Sequence, residues 1–231
     1  MLFRSNMPDL IDSKEKLLRT AEELFFKYGY EEVSGRGICE KAGLSRSRLQ
    51  YYFTDKKQLA SLIFKKSLAS FHYNLSKATD YSVERGLRDI LEYMSLSIVC
   101  LLDIVSKDAS PSSFYSECMD AGIAAVVLPG YLTQSMGVIN RESGSEYDEV
   151  HIMTFAKIFS NALSANTKKY KESFESNKNS NFFAEIYSDL YMKMLDIPLE
   201  DRKEIVKAAV EKKESINIVF HSMYEVEVTK I

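Results

Sequence analysis

Proline and glycine are scarce in this chain, at 4 and 9 of 231 residues. So few chain breakers, together with an almost complete lack of strand-like alternation, argue against the closely spaced turns of an all-β fold. Cysteine is scarce as well. Cys39, Cys100 and Cys118 are odd in number and sit on unrelated segments. They fit reduced thiols in the cytoplasm rather than a disulfide framework, with redox sensing at Cys100 or Cys118 as the alternative. No apolar run reaches bilayer length. The most apolar stretch, LEYMSLSIVCLLDIV at 91–105, contains Glu92 and Asp103 and is too short to span, so no membrane partner is expected. The opening MLFRSNMPDLID has no apolar run of signal-peptide length before Pro8, so export is not expected. His72, His151 and His221 fall on separate segments without an i, i+4 partner, which indicates neither a zinc site nor a nucleophile–base pair. There is no glycine-rich phosphate loop. These absences leave no catalytic residues, no metal site and no cofactor, and the chain reads as no enzyme.

What is present is helical periodicity. Apolar residues recur at i, i+3 and i+4 over long stretches, and 45% of the chain is hydrophobic. That predicts an all-α fold with one substantial core and a small satellite domain. The net charge of −3 alone speaks against nucleic acid. Its distribution speaks for it: residues 1–66 hold 13 lysines and arginines against 9 acidic residues, whereas residues 67–231 hold 17 against 24. The basic excess sits at the N-terminal end, and the acidic remainder is held off phosphate.

Residues 34–59, SGRGICEKAGLSRSRLQYYFTDKKQL, contain a helix-turn-helix at 34–53. Ser34 caps a first short helix whose Ile38 and Ala42 face a small core. Gly43 supplies the backbone freedom of the turn, and Ser45 caps the second helix. Leu49, Tyr52 and Phe53 fall at helical spacing and face inward. Arg46, Ser47, Arg48, Gln50 and Tyr51 remain outside, and they carry the donors that phosphates and base edges require.

The flanks sharpen this reading. KEKLLRTAEELFFKYGYEEVS upstream is an amphipathic helix ending in Gly-Tyr before a serine cap. The ordered set Phe25, Gly29, Tyr30, Ser34, Ile38, Ala42, Gly43, Ser45, Leu49, Tyr52, Phe53, Lys56 and Leu59 resembles the DNA-binding domain of the TetR family of bacterial transcriptional regulators, over about residues 12–65. The resemblance implies a DNA-contacting set of Ser34, Arg36, Ser45, Arg46, Ser47, Arg48, Gln50, Tyr51 and Lys56, with Lys56 on phosphate. It also implies a homodimer on double-stranded operator DNA, and a helical domain for ligand binding and dimerisation. Ser47 stands where the family often has glycine and Gln50 where it often has tyrosine, so no operator sequence carries over. Gly35 and Gly37 each cost about 1 kcal/mol against alanine inside a helix. They either admit the backbone to phosphate or loosen the helix.

The domains expected are 10–66 for DNA binding and 67–231 for ligand binding and dimerisation. Helix boundaries follow from caps and breakers. The first helix starts at Asp12 with Glu15 as its capping-box partner and carries Leu17, Leu18, Ala21, Leu24 and Phe25 inside. The fourth is capped by Asp55, with Gln58 three positions on, and runs to about Lys77 with Leu59, Leu62, Ile63 and Leu68 apolar. Further helices are expected at 82–105, from Ser110-Pro111 to Met119, at 131–141 after a break at Pro129-Gly130, at 147–172, at 181–197 and at 200–226. In 147–172, Val150, Phe155, Ile158, Phe159 and Ala162 are expected inside, and 173–181 is expected to be a polar loop. The last helix is expected to carry Ile205, Ala208, Ala209, Ile216, Val219, Phe220 and Met223. Residues with polar tips on apolar helices fit a cavity for an amphipathic small molecule, with Tyr93, Met94, Ser97, Tyr115, Met119, His151 and Phe155 as its candidate lining. The resemblance implies that two C-terminal helices of each subunit form a four-helix interface; these are expected at 147–172 and 181–197, with the helix at 200–226 as the alternative to one of them. The function implied is a ligand-released regulator, a repressor; the alternative is a TetR-like interaction module or coactivator that no longer binds DNA.

Overall fold

The computed structural model describes residues 7–107, 111–165, 172 and 181–231. Helix α1 (Met7–Tyr28) starts five residues before the expected Asp12, which lies inside it. Pro8 explains the longer start: proline in a first turn lacks only an N–H that has no intrahelical partner there, and its fixed φ suits the helix. Leu17, Ala21 and Phe25 form the fully buried face of α1. Gly29 ends it with φ +78, and its N–H reaches back to the Phe25 carbonyl at 3.0 Å.

Helices α2 (Gly35–Ala42) and α3 (Arg46–Tyr52) form the helix-turn-helix. Ile38 and Ala42 of α2 and Leu49 of α3 pack against α1, and Phe53 closes the same core. Helix α4 (Lys56–Ala78) follows and has 23 residues, about 34 Å at 1.5 Å per residue. The Asp55 carboxylate caps it by accepting the Gln58 N–H at 2.8 Å, and the Gln58 side chain accepts the Thr54 N–H at 2.6 Å. Leu62, expected inside, is 38% exposed, while Ile63, Phe64, Leu68, Phe71 and Leu75 are fully buried.

A 3-10 turn (Val83–Arg85) precedes α5 (Leu87–Ser106), so the fifth helix begins later than Ser82. Every residue from Met94 to Leu102 is buried, because α6, α7 and the last two helices pack around α5. Helix α6 (Ser112–Asp120) opens after Pro111; the expected cap at Ser110 lies outside the described residues. Helix α7 (Ala124–Ser143) runs straight through Pro129 and Gly130, where a break was expected. Its buried stripe of Leu128, Leu132, Met136 and Ile139 continues across the proline. Packing along that stripe outweighs the one hydrogen bond that Pro129 cannot donate to the Ala125 carbonyl.

Helix α8 (Glu149–Ala165) turns Phe159 inward but leaves Val150 and Ile158 outside, at 70% and 53% exposure. Both were expected inside. The expected lysine-rich end of this helix and nearly all of the polar loop at 173–181 lie outside the described residues. Helices α9 (Phe182–Lys193) and α10 (Leu199–Lys213) follow.

The expected helix at 200–226 is half wrong. After Lys213 the chain forms an antiparallel hairpin, β1 (Ile216–Phe220) with β2 (Val226–Lys230), in the register Ile216↔Lys230 to Phe220↔Val226. β-Branched residues in INIVF and VEVTK suit a half-buried pleated surface better than a helix face. Strand β2 lies along α4: the Asn74 amide donates to the Val226 carbonyl at 2.9 Å, and the Val226 N–H donates to Ser70 Oγ at 3.1 Å. In the loop, Met223 is fully buried and its N–H donates to Glu22 Oε1 of α1 at 2.6 Å. The fold is otherwise all-α. One continuous apolar cluster reaches from Leu17 in α1 to Val228 in β2. No single helix among the described residues is long and apolar enough to cross a membrane.

The proline in α7 gives a direct test. Pro129→Ala restores the missing donor, and proline in a helix interior is about 3 kcal/mol less favourable than alanine. Urea unfolding should show stability raised by on the order of 1–3 kcal/mol. An unchanged or lower midpoint would mean that α7 does not continue through residue 129.

Candidate nucleic-acid interface and ligand cavity

Local chemistry fixes the second helix of the helix-turn-helix. Ser34 Oγ accepts the Gly37 N–H at 3.0 Å, and Ser45 Oγ accepts the Arg48 N–H at 3.3 Å. Between these caps Gly43 has φ +62, and the Leu44 N–H reaches the Cys39 carbonyl at 3.0 Å. That is a glycine-terminated helix end, which closes α2 and aims α3 away from it. Leu49 and Phe53 turn into the core and Tyr52 is half-buried. On the outer side Arg46, Ser47, Gln50 and Tyr51 are exposed and Arg48 is half-buried. Tyr51 is 70% exposed and rests edge-on against Tyr52, at 4.9 Å between centroids. Ser45 and Ser47 share a hydroxyl hydrogen bond of 2.8 Å. Arg36 stands on α2 in an exposed ion pair with Glu40 at 2.7 Å. A Cβ at Gly35 would meet no atom within 4 Å, and one at Gly37 would crowd Ser34 Oγ at 3.3 Å. Packing within the chain therefore does not require glycine at 35.

Lys56 is placed differently from its neighbours in the expected set. Its ammonium donates to the Tyr30 carbonyl at 2.9 Å and lies 3.8 Å over the Tyr30 ring. It ties the start of α4 to the loop after α1. The adjacent Lys57 reaches the other way and donates to the Ala121 carbonyl, at the end of α6, at 2.7 Å. Glu117 of α6 completes the junction by accepting the backbone N–H groups of Tyr30 and Glu31, the latter at 2.8 Å. A Cβ on Gly29 would stand 2.7 Å from the Glu117 carboxylate, so both this close approach and the positive φ call for glycine there. Glu117 and Lys57 were not among the residues expected from sequence.

Further along α4 a cavity of about 250 Å³ opens between α4, α5, α7 and α8. Tyr93, Met94 and Ser97 of the expected set line it. His72, Tyr81, Tyr131, Gln134, Ser135 and Phe159 join them, along with aliphatic residues of α5, α7 and α8. The other four expected residues do not line it. Tyr115 is fully buried beside α4, sharing a 2.6 Å hydrogen bond with Ser67. Met119 is buried and accepts a hydrogen bond from Ser164 Oγ at 3.8 Å. His151 is exposed and paired with Asp148 at 2.9 Å. Phe155 packs edge-on against Tyr147 at 5.1 Å. Helical periodicity identifies a side chain as inward, but not which inward gap stays open.

No lining side chain is an Asp, Glu, Lys or Arg. Burial lowers the His72 pKa to about 4, so the ring is neutral near pH 7. Burial likewise pushes the Cys100 thiol up to about 12 and raises those of Cys118 and Cys39. Such thiols are inert near neutral pH. Among the described residues no three His, Cys, Asp or Glu side chains cluster as a metal site would.

The sequence carries this geometry within a known family pattern. Residues 17–63 match the model of the tetR family of bacterial regulatory proteins. No curated protein matches the chain in sequence. Among solved structures, RolR in complex with the ligand resorcinol superposes with a TM-score of 0.63 at 16% identity, over 86% of this chain and 95% of that one. TylP, a TetR regulator from Streptomyces fradiae, aligns at 14% identity over 87% of this chain and 99% of its own, with a TM-score of 0.43. A gamma-butyrolactone receptor described as ArpA-like aligns at 15% identity over 89% and 98%, with a TM-score of 0.42. The resemblance to the TetR family thus stands on sequence over residues 17–63, and the chain shares the fold of RolR over 86% of its length.

The half-buried imidazole gives a pH prediction. Its pKa is about 6.5 when unfolded and about 4 when folded, so the unfolded chain binds more protons between those values. Stability from this group is complete above pH 6.5 and falls as pH drops toward 4, by up to about 3 kcal/mol. His72→Phe should flatten the loss of stability across that window in urea titrations at stepped pH. An acid profile that does not change would place the imidazole in water.

Proposed function

We propose that this protein is a ligand-responsive transcriptional regulator, a repressor that binds a palindromic operator as a homodimer and leaves it when a small molecule fills the cavity. Residues 10–66 read DNA, and residues 67–231 hold the ligand and pair the subunits. The observation that carries this reading is the exposed face of α3, where Arg46, Arg48, Gln50 and Tyr51 stand on a serine-capped helix of the helix-turn-helix. Phosphate contacts from Ser34, Arg36, Ser45 and Ser47 set the register, while Arg48 and Gln50 address base edges. Lys56 reaches phosphate by leaving the Tyr30 carbonyl. The protein works in the cytoplasm.

The dimer reading rests on apolar side chains left outside. Val150, Met153 and Ile158 of α8 and Phe182 and Ile186 of α9 are each 40% exposed or more. Two such helices from each subunit make a four-helix interface. Paired half-sites then mirror the two-fold axis of the protein.

Gel shifts against the DNA upstream of the gene test the central claim. A specific shift is expected, and Arg48→Ala should weaken it by about 1–3 kcal/mol while relaxing base preference. No shift, or an unaltered one in the variant, would favour an interaction module. For the interface, light scattering should return a dimer for the native chain and a monomer for Ile158→Glu combined with Ile186→Glu. A native monomer would overturn the interface.

A further inference from the structure

The two nitrogens of His72 are not equivalent. Tyr93 Oη lies 3.0 Å from the His72 carbonyl oxygen and 3.1 Å from His72 Nδ1. The carbonyl can only accept, so the phenol proton goes to it. With the phenol proton on the carbonyl, Nδ1 is assigned a proton and donates to Tyr93 Oη, which gives the Nδ1–H tautomer. Nε2 is left as an acceptor with no hydrogen-bond partner among the described residues, on a ring that lines the cavity.

Besides Tyr93, three of the four other cavity hydroxyls are committed to the protein, and, among the described residues, that of Tyr81 is not. Tyr131 donates to the Lys65 carbonyl at 2.8 Å, Ser97 to the Met94 carbonyl at 2.8 Å, and Ser135 pairs with Tyr191 at 2.9 Å. Two stacked pairs supply flat walls: Tyr81 on Tyr93 at 4.1 Å and 12°, and His72 on Tyr131 at 5.8 Å and 22°. An apolar cavity of about 150 Å³ takes a benzene ring, so about 250 Å³ admits one ring or two fused ones.

We propose that the cavity takes an uncharged, flat molecule of one or two rings that bears a hydroxyl, and that His72 Nε2 accepts the hydroxyl hydrogen. Charged ligands are excluded by the same walls. No lysine or arginine meets a carboxylate and no aspartate or glutamate meets an ammonium. A carboxylate recruiting a proton to His72 has to reverse the burial that keeps the ring neutral. This names the ligand class of the regulator proposed above and rests on that reading for its regulatory consequence.

Calorimetry on the full chain with 2-naphthol, 2-methoxynaphthalene and 2-naphthoate tests it. Binding of 2-naphthol is expected, with the ether about tenfold weaker because a buried acceptor loses its donor; the carboxylate should be weakest. The chain has 3 histidines, so nitrogen NMR can assign His72 by its loss in His72→Phe. The free protein should show the Nδ1–H tautomer, and its Nε2 resonance should move upfield with 2-naphthol. An Nε2–H tautomer, equal affinity for the ether, preference for the naphthoate, or no binding of 2-naphthol overturns the proposal. Should His72→Phe not fold, nitrogen NMR with selective histidine labelling of His151→Gln and His221→Gln variants completes the assignment. None of these measurements involves DNA. Binding of 2-naphthol without any operator shift overturns the regulator reading alone, and an operator shift without such binding overturns this one alone.

Discussion

Lys56 and Lys57 stand side by side at the start of α4 and hold different parts of the molecule. One ammonium is on the Tyr30 carbonyl and the other on the Ala121 carbonyl. A helix is stiff along its axis, so these anchors fix the near end of a rod whose far half carries His72 at the cavity wall and Asn74 on the hairpin. The position of α3 relative to α5 and α7 therefore depends on α4 as a single body. Glu117 adds a second brace, from α6 onto the turn after α1. Gly29, at φ +78, sits beside the Glu117 carboxylate, and the buried Met223 donates its N–H to Glu22.

The helix-turn-helix was legible in the sequence because its signals are local. Ser34, Ser45 and Asp55 each accept an N–H three residues ahead, and Gly43 takes the positive φ that a tight turn requires. Such interactions need no partner from elsewhere in the chain. The errors have the opposite character. The partners of Glu117 lie 86 and 87 residues away, and nothing near Glu117 announces them. Pro129 reads as a breaker until the buried stripe of α7 is seen to continue beyond it. Residues 216–220 extend the helical spacing of Ile205 and Ala209 well enough to mimic a longer helix. Only pairing with 226–230, which is itself docked on α4, makes them a strand. Val150 and Ile158 are apolar, and composition alone cannot say whether an apolar residue faces its own core or outside.

The cavity shows the same division. Tyr93, Met94 and Ser97 lie on the most apolar helix, and their spacing marks them as inward. Tyr115 and Met119 point inward too, yet neighbouring side chains fill the space around them. His72 drew attention in the sequence only as a histidine without a metal partner. Its significance comes from Tyr93, which occupies Nδ1 and leaves one acceptor over. That pairing spans 21 residues and joins two helices.

In the regulator proposed above, the continuous core limits how a ligand can act on α3. Helices α1 to α3 do not hang freely, because the apolar cluster runs without a gap from Leu17 through α4 to Val228. A tilt of the reading helix relative to α5 and α7 has to strain Glu117 on Tyr30 and Glu31, Lys57 on Ala121, and Met223 on Glu22. Each such hydrogen bond contributes about 0.5–1.5 kcal/mol net. Coupling between distant sites is typically about 1–3 kcal/mol, the worth of one to three of these contacts. A ligand that displaces Tyr131 pulls on its bond to the Lys65 carbonyl, midway along α4. A coupling of ordinary size is thus comparable to the ties that resist such a tilt.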